Sequence, residues 1–325
     1  MKPELSVVIP ILNEAPNLET LHREFTQALE STRRTYEILV IDDGSTDDSF
    51  TILKRLQSAD RRLRVIRFRR NFGQTAAFAA GITAARGSVV ITADGDLQND
   101  PKDIPAMLEK LAGGADIVCG WRKDRKDAFL SRRLPSMLAN RLISWATGVH
   151  LNDYGCSLKV FRAEIIKALH LRGEMHRFLP ALASGIGVTI VEMPVNHRAR
   201  QHGKSKYGIG RTLRVVLDLM TVKFILSYST QPLQIFGMVG AVMGLVGFVL
   251  LGYLGTMRLL HLESIMQRLP LTLFGILLLF TGVQLVTLGL LAELQARNYH
   301  EMQDRPSYVI REVLEADQPS AGDAA

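Results

Sequence analysis

Three carboxylates are crowded into the stretch ITADGDLQND, residues 91–100. Asp94, Asp96 and Asp100 follow a hydrophobic run, and unpaired carboxylates this close repel one another unless a positive charge lies among them. Asp94 and Asp96 flank one glycine, and alternate side chains of an extended segment share a face. Together with Gln98 on that face, they predict a site for Mg²⁺ or Mn²⁺, which bind a few carboxylates and substrate phosphate oxygens. The alternative is an exposed acidic turn.

A second acidic stretch, DDGSTDD, follows an earlier hydrophobic run. Asp42 and Asp43 suit hydrogen bonds from the N–H of a nucleotide base and the hydroxyls of its ribose, because a carboxylate accepts such bonds. Turn formation and helix capping are the alternative roles. Asn13 and Glu14 follow the first hydrophobic run and can form another wall of the pocket that would hold this nucleotide. Two acidic strand ends in one sheet predict a single ligand crevice.

The chain becomes basic and rich in loops over residues 121–230. It contains WRKDRKDAFLSRR and NHRARQHGKSKYGIGR, whose glycines let a loop wrap around phosphates while Arg and Lys neutralise them. Arg122, Arg200 and Lys206 are therefore candidate phosphate ligands, although each also fits a solvated surface charge. His197 is assigned a structural or supporting role. The turn after the first strand lacks G-x-G-x-x-G, the fingerprint of dinucleotide binding.

The hydrophobic pattern predicts the elements that position these side chains. Near-continuous apolar runs predict strands covered on both faces of the sheet. Strands are expected at residues 5–10, 36–42, 63–68, 88–94 and 116–120, and helices at 17–31, 47–58, 74–86 and 103–112. This alternating order predicts an α/β fold with a doubly wound, mostly parallel sheet, helices on both faces and ligands at the carboxyl ends of the strands.

Two long uncharged segments follow. The runs at 232–257 and 269–292 contain 26 and 24 residues without a charge. As helices they reach roughly 39 and 36 Å, enough to cross a hydrocarbon core of about 30 Å. They predict a two-helix transmembrane hairpin, with a buried hairpin of a soluble domain as the alternative. The segment before them places apolar and basic residues at helical spacing, which predicts an amphipathic helix in the membrane interface.

Basic residues orient this hairpin. Six lie in its flanks (Arg211, Arg214, Lys223, Arg297, Arg305 and Arg311), against Arg258 and Arg268 in the linker. The positive-inside rule then places the large N-terminal domain and both termini in the cytoplasm. The chain is thus expected to be a multi-pass protein of the inner or plasma membrane. The N-terminus lacks an apolar region long enough for a signal peptide. Cys119 and Cys156 are expected to be free thiols.

The predicted organisation has four parts. Residues 1–205 form a large cytoplasmic domain, and 206–230 form the interfacial region. Residues 231–293 hold the two transmembrane helices, and 294–325 form a cytoplasmic tail whose end has a disordered composition. The net charge of +7 suits phosphorylated or anionic partners without choosing among them.

The motifs, in order, resemble those of the polyprenyl-phosphate glycosyltransferases of glycosyltransferase family 2, an inverting family. These include the dolichyl-phosphate mannose synthase, bactoprenol glucosyltransferase and undecaprenyl-phosphate 4-deoxy-4-formamido-L-arabinose transferase types. The set is VVIPILNEAPN, LVIDDGSTDDS, RRNFGQTAAFAAGI, ITADGDLQNDP, LNDYGCSLKVFR and NHRARQHGKSKYG, followed by the two spans. The resemblance extends over roughly residues 5–310 and is far more specific for the family than for the sugar.

The resemblance implies a GT-A-type fold that binds a UDP- or GDP-linked sugar and transfers it to a polyprenyl phosphate such as undecaprenyl phosphate. It implies a nucleoside pocket lined by Pro10, Asn13, Glu14, Asp42 and Asp43, and a metal site at Asp94, Asp96 and Gln98. It places phosphate contacts at Arg122, Arg200, Ser205 and Lys206, and an active-site acid at Asp153. Gly95 stands where the family commonly has Ala, which we expect to keep both metal ligands but loosen their backbone.

Inversion turns an α-linked donor into a β-linked lipid-phosphate sugar, and a tetramer is the oligomer that analogy suggests. A processive polysaccharide synthase is disfavoured because Q-x-x-R-W and further spans are missing from the sequence. A soluble transferase is disfavoured by the two spans. A non-catalytic membrane adaptor or lipid-binding protein leaves the acidic strand ends unexplained. Nucleic-acid binding is disfavoured because few aromatic residues accompany the basic ones.

Overall fold

The computed structural model describes residues 2–123, 140–141, 143–144, 147–169, 175–199, 232–260, 268–301 and 307–315. The chain forms two compact units, Met1–Val222 with Pro306–Ala325, and Lys223–Arg305. The predicted phosphate contacts Arg200, Ser205 and Lys206 lie outside the described residues. So does the whole of the predicted interfacial region, 206–230.

Strands and helices alternate through the first unit. The strands are β1 (Leu5–Ile11), β2 (Tyr36–Asp42), β3 (Leu63–Phe68), β4 (Val89–Thr92), β5 (Ile117–Trp121), β6 (Lys159–Arg162), β7 (Ile190–Pro194) and β8 (Ile310–Leu314). The helices are α1 (Leu18–Ser31), α2 (Ser49–Ala59), α3 (Gln74–Ala84), α4 (Ile104–Ala112), α5 (Ala163–Ala168) and α6 (Leu179–Ser184). Through residue 121 the predicted bounds agree with these to within two residues.

The eight strands form one sheet in the order β7-β5-β6-β4-β1-β2-β3-β8. Six run in one direction, because β1 pairs in parallel with β2 and β4, β2 with β3, and β5 with β7. β6 runs against β4 and β5, and β8 runs against β3. The predicted mostly parallel α/β sheet is confirmed. Since β6 is reversed, the loop before it meets the carboxyl ends of β4 and β5.

Both faces of the central strands are buried, as the apolar runs predicted. Every residue of β1 and β2 is buried. On one face, Val7 and Ile9 join a core with Leu21 and Phe25 of α1 and Leu108 of α4. On the other face, an added Cβ at Gly81 of α3 would collide with Val8 and Ile41, so glycine allows α3 to approach β1 and β2.

The second unit contains two long helices, α7 (Pro232–Leu259) and α8 (Leu269–Glu301). Within them, Leu233–Leu259 and Leu269–Gln295 are long and apolar enough to cross a membrane, with mean hydropathies of 2.3 and 2.2. Large apolar side chains are exposed on both, including Phe248 (68%) and Phe280 (60%). These surfaces indicate membrane association. The helices pack closely where Gly240 meets Gly282, since a Cβ on either would lie 2.6 Å from the other's carbonyl oxygen.

Candidate active site

The acidic loop after β4 holds two carboxylates close enough to influence each other. Asp94 Oδ1 accepts a hydrogen bond from Gln74 Nε2 at 2.7 Å. Asp96 is buried, and its Oδ1 accepts from the backbone N–H of Gln98 at 3.2 Å. Burial, together with the charge of Asp96, raises the pKa of Asp94. The loop is therefore built with a repulsion that a cation would relieve.

The donor set of this loop fits a hard divalent cation. No cluster of three or more His, Cys, Asp or Glu suited to a metal occurs among the residues that the structure describes. Mg²⁺ and Mn²⁺ commonly take one or two carboxylates and complete their shell with water and substrate phosphate. Asp94 and Asp96 match that requirement. The amide of Gln98 is oriented by a 3.5 Å contact from its Nε2 to the backbone carbonyl of Arg198.

The backbone of the loop is tightly constrained at two positions. Leu97 has a φ of 61°, a left-handed conformation that is costly for a leucine. An added Cβ at Gly95 would lie 2.7 Å from Ile11 Cγ2 and 3.3 Å from the Pro10 carbonyl oxygen. Glycine therefore lets the loop pack directly on the end of β1, which gives Gly95 a packing role beyond the backbone loosening that we expected.

The acidic end of β2 is bound to its own backbone. Asp43 accepts from the N–H groups of Phe72 at 2.7 Å and Gly73 at 3.0 Å. Asp42 is fully buried, and its Oδ1 accepts from the N–H of Ser45 at 2.8 Å. Its Oδ2 lies 3.5 Å from Arg67 Nε, and neither of these two atoms has a hydrogen-bond partner among the residues that the structure describes.

The end of β1 forms the wall beside Asp42 and Asp43. Asn13 has a φ of 56°, and its Oδ1 accepts from the N–H of Thr46 at 2.8 Å. Its own N–H donates to Ser45 Oγ at 2.9 Å. The backbone N–H of Glu14 donates to Ser49 Oγ at 3.0 Å. Pro10 is buried within β1. These contacts bring the predicted nucleoside-pocket residues together at one edge of the sheet.

Arg122 and Asp153 form a buried ion pair. The guanidinium donates from Nε to Asp153 Oδ2 at 2.7 Å and from Nη2 to Oδ1 at 2.9 Å. Burial alone would lower the pKa of Arg122, but the bonds to Asp153 outweigh it and raise that pKa. The positive charge also acts on Asp94. We predicted separate roles for these two residues, and the structure joins them in a fixed pair beside the acidic loop.

Lys159 orders the loop that carries Asp153. This buried lysine, the first residue of β6, donates from Nζ to the backbone carbonyls of Tyr154, at 3.3 Å, and Cys156. Gly155 leaves room for the guanidinium, because an added Cβ there would lie 3.1 Å from Arg122 Nη2. Lys159 was missed at the sequence level. The signal was a lysine in the apolar run LKVF.

Arg198 connects the acidic loop to the start of the basic segment. Its Nη2 lies 2.6 Å from Asp100 Oδ1, and its Nη1 lies 2.6 Å from Glu24 Oε2 of α1. Asn196 reinforces this contact by donating from Nδ2 to Asp100 Oδ2 at 2.9 Å. The backbone of His197 forms an isolated β-bridge with Asn99. Arg198 was missed because its two partners are distant in sequence.

His176 supports the helix that begins beside Asp94. Its Nδ1 lies 2.7 Å from the Thr75 hydroxyl, and its ring stacks on Phe78. Burial, with Arg177 nearby, lowers the pKa of His176 to about 3. A histidine that stays neutral suits this structural role on α3, whose first residue, Gln74, holds Asp94.

The mixed sheet, with paired acidic residues at the carboxyl ends of β2 and β4, resembles that of GT-A-type glycosyltransferases. Residues 6–169 match the family model of glycosyl transferase family 2. The chain belongs to that family and is a glycosyltransferase.

Two relatives align over nearly the whole chain. Dodecaprenyl-phosphate galacturonate synthase of Rhizobium johnstonii is 45% identical over 96% of this chain and 93% of its own length. Undecaprenyl-phosphate 4-deoxy-4-formamido-L-arabinose transferase of Edwardsiella ictaluri is 39% identical over 97% of this chain and 95% of its own. The predicted resemblance to polyprenyl-phosphate glycosyltransferases is confirmed.

The fold is shared with a solved structure. Glucosyl-3-phosphoglycerate synthase of Mycobacterium tuberculosis, crystallised with Mn²⁺, uridine diphosphate and phosphoglyceric acid, superposes with a TM-score of 0.55 at 18% identity. The match covers 68% of this chain and 78% of that one. The predicted GT-A-type fold is thereby confirmed.

Proposed function

We propose that this chain moves a sugar from a nucleoside-diphosphate sugar to a polyprenyl phosphate, with inversion at the anomeric carbon. One observation carries the proposal: the lipid-phosphate sugar transferases align over the catalytic domain and the apolar hairpin together, across 96% of the chain. A donor site alone is common to the whole family. The combination of that site with a hairpin selects a lipid acceptor.

The first acidic end recognises the nucleoside in this proposal. Within the described part of the chain, Asp42 Oδ2 is a buried carboxylate oxygen without a hydrogen-bond partner, so a base N–H or ribose hydroxyl would satisfy it. The backbone bonds to Asp43 and Asn13 fix the walls of the pocket. Pro10 and Glu14 complete its lining. UDP is the proposed nucleotide, and GDP is the alternative.

The acidic loop after β4 binds the donor diphosphate through a metal ion in this proposal. Asp94, Asp96 and Gln98 would hold Mg²⁺ or Mn²⁺, which withdraws charge from the leaving diphosphate when bound. The protein itself holds Asp94 through Gln74 and constrains the loop backbone at Leu97. Such preorganisation avoids a reorganisation cost during the reaction.

The acceptor phosphate is the nucleophile in the proposed reaction. One of its oxygens bonds to the anomeric carbon as the bond from that carbon to the nucleoside diphosphate breaks, and the nucleoside diphosphate leaves. A phosphate monoester is already anionic at neutral pH, so this attack needs no strong general base. Arg122, fixed by Asp153, is proposed to hold phosphate oxygens together with Arg200, Ser205 and Lys206.

The proposed location is the cytoplasmic face of the inner or plasma membrane. β8 follows the hairpin in sequence and pairs with β3 of the catalytic sheet, which supports a topology with both flanks on one side. The positive-inside rule makes that side cytoplasmic. A homotetramer is proposed by analogy alone.

The test is transfer of radiolabel into a butanol-extractable lipid. Purified full-length protein would receive undecaprenyl or dodecaprenyl phosphate, Mn²⁺ or Mg²⁺, and a panel of donors that includes UDP-galacturonate, UDP-4-deoxy-4-formamido-L-arabinose, UDP-glucose and GDP-mannose. We expect one donor to label the lipid and EDTA to abolish the labelling. A protein that binds a nucleotide but labels no lipid from any donor would contradict the proposal and favour a non-catalytic adaptor.

A further inference from the structure

The chain returns to the catalytic sheet after the second long helix. β8 adds to the edge beside β3, with Val65 opposite Leu314, Arg67 opposite Glu312 and Phe68 opposite Ile310. The N–H of Arg69 also donates to the carbonyl of Val309 at 3.0 Å. The short segment 307–315 therefore covers all but the first two residues of β3.

Glu315 anchors this segment at the start of β3. Its carboxylate accepts from Arg64 at 2.5 Å and from Arg86 at 2.7 Å. Arg64 is buried and keeps a second carboxylate partner, since its Nη1 donates to Glu37 at 2.8 Å. Loss of Glu315 would thus weaken the anchor without leaving the buried guanidinium unpaired.

Tyr308 contacts the other end of β3, beside the proposed nucleoside pocket. Its ring stacks on Phe68 with centroids 5.0 Å apart and planes 15° apart. Phe68 in turn meets Phe72 edge to face at 5.7 Å. The backbone N–H of Phe72 is the group that donates to Asp43 at 2.7 Å. Three rings in contact thus connect the segment after the hairpin to Asp43.

A row of charges runs across the same end of the sheet. Asp42, Arg67 and Glu312 are direct neighbours on β2, β3 and β8. Arg67 lies over the Phe50 ring at 4.1 Å and approaches Asp42 Oδ2 to 3.5 Å. The pairing of β8 therefore constrains the strand that carries Arg67, a charged neighbour of Asp42.

We propose that Tyr308 is a positioning residue for the nucleoside pocket: by stacking on Phe68 it fixes Phe72 and, through its backbone N–H, the orientation of Asp43. Tyr308 does not touch the donor. The inference rests on the proposed function, because it takes Asp43 to be part of the donor site. It makes donor affinity depend on a segment that follows the membrane hairpin.

The test is the affinity for UDP and GDP, measured by calorimetry on the full-length protein in detergent with Mn²⁺ and no acceptor. An aromatic pair contributes about 0.5–1.5 kcal/mol, so Tyr308→Ala should weaken nucleotide binding by about 2- to 10-fold. Tyr308→Phe keeps the stacked ring and should stay within about twofold of the wild type. In transfer assays, Tyr308→Ala should raise the donor KM by a similar factor and leave kcat nearly unchanged.

Glu315→Gln is the matched control for a merely structural effect. It weakens the anchor at the opposite end of β3, so it should lower the melting temperature but leave the nucleotide Kd within about twofold. Equal Kd values for Tyr308→Ala and wild type would overturn the inference. So would a loss of affinity in both variants that only follows their loss of stability.

A double-mutant cycle tests the route. In a Phe68→Leu background, Tyr308→Ala should have little further effect on Kd, because the intermediate ring is gone. Additive effects would contradict the inference. A wild-type protein that binds neither UDP nor GDP would overturn the proposed function as well, whereas normal wild-type binding with an unaffected Tyr308→Ala variant would overturn only this inference.

Discussion

The two acidic strand ends of the sheet resemble each other in sequence and differ in structure. At the end of β2, Asp43 accepts two backbone N–H groups and Asp42 accepts a third. After β4, Asp94 is held by the side chain of Gln74 and carries a raised pKa from burial and the charge of Asp96. By accepting these backbone N–H groups, Asp42 and Asp43 hold the loops after β2 and β3 in place.

The acidic loop after β4 is arranged differently from the end of β2. Two carboxylates are kept close together by a loop whose Leu97 is in a left-handed conformation. Such an arrangement costs stability in the absence of a cation and becomes favourable with one. The comparison shows that a metal site at a strand end is predicted less well by the number of acidic residues than by the hydrogen-bond partners that those residues already have.

The largest expected effect is on transfer activity. Asp96→Asn removes a proposed metal ligand while preserving the shape of the side chain, so turnover should fall by about 10³-fold or more. The protein should remain folded and membrane-bound, as judged by circular dichroism and membrane fractionation. Near-normal turnover would contradict the view that the acidic end of β4, unlike that of β2, binds a metal.

Arg122 gives the largest expected effect on stability. Arg122→Met leaves the buried Asp153 carboxylate without its cation, and breaking such a pair costs about 3–5 kcal/mol. Chemical denaturation of the catalytic domain should show this loss. Arg122→Lys, which keeps the charge but not the two-pronged contact, should recover part of it. Equal stability of the Met variant and the wild type would contradict the structural role of the pair.

The two ends should respond oppositely to Asp→Asn changes. Asp43→Asn places an amide N–H against a backbone N–H, which should cost about 1–3 kcal/mol. Asp94→Asn should leave the metal-free protein equally or more stable at neutral pH. When the folded-state pKa of a carboxyl is raised, the folded protein loses stability as the pH rises above the ordinary carboxyl pKa of about 4. Thermal unfolding in EDTA tests this contrast, and a fall in melting temperature for both variants would contradict it.

The smallest expected effect concerns Asp100. Burial would raise the pKa of Asp100, but hydrogen bonds from Arg198 and Asn196 outweigh it and lower that pKa. A lowered pKa stabilises the fold above the ordinary value and loses this contribution as the pH falls below about 4. Arg198→Gln should therefore be less stable than wild type at pH 7, by about 1 kcal/mol or less for a partly exposed pair.

The pH series provides the check on that prediction. The stability difference between wild type and Arg198→Gln should shrink as the pH falls below about 4. A difference that stays constant across that range would show that Arg198 acts through packing and not through the charge of Asp100.

The first half of the catalytic sheet could be predicted closely from the sequence. β2 and β3 have the predicted bounds, because continuous apolar runs bounded by turns mark strands buried on both faces. The acidic pairs could be assigned to one edge because parallel strands all end there. These signals are local, and each lies within about ten residues.

The later elements could not be predicted because their signals are distant or weak. β6 and β7 lie in a segment read as loops, and β6 is buried by neighbours far away in the chain. β8 is mostly exposed and lies in a polar tail, so its pairing with β3 leaves no apolar pattern. Arg198 and Lys159 were missed because their partners come from other loops or from backbone carbonyls.

The most direct test of the account is Mn²⁺ binding followed by electron paramagnetic resonance. Full-length wild type, Asp96→Asn and Asp43→Asn would be titrated with Mn²⁺ in the presence and absence of UDP. We expect Asp96→Asn to lose the signal of bound Mn²⁺. Asp43→Asn should retain this signal in the absence of UDP, and a higher UDP concentration should be needed to change the signal. Unchanged Mn²⁺ binding in Asp96→Asn would contradict the assignment of the cation to the acidic end of β4.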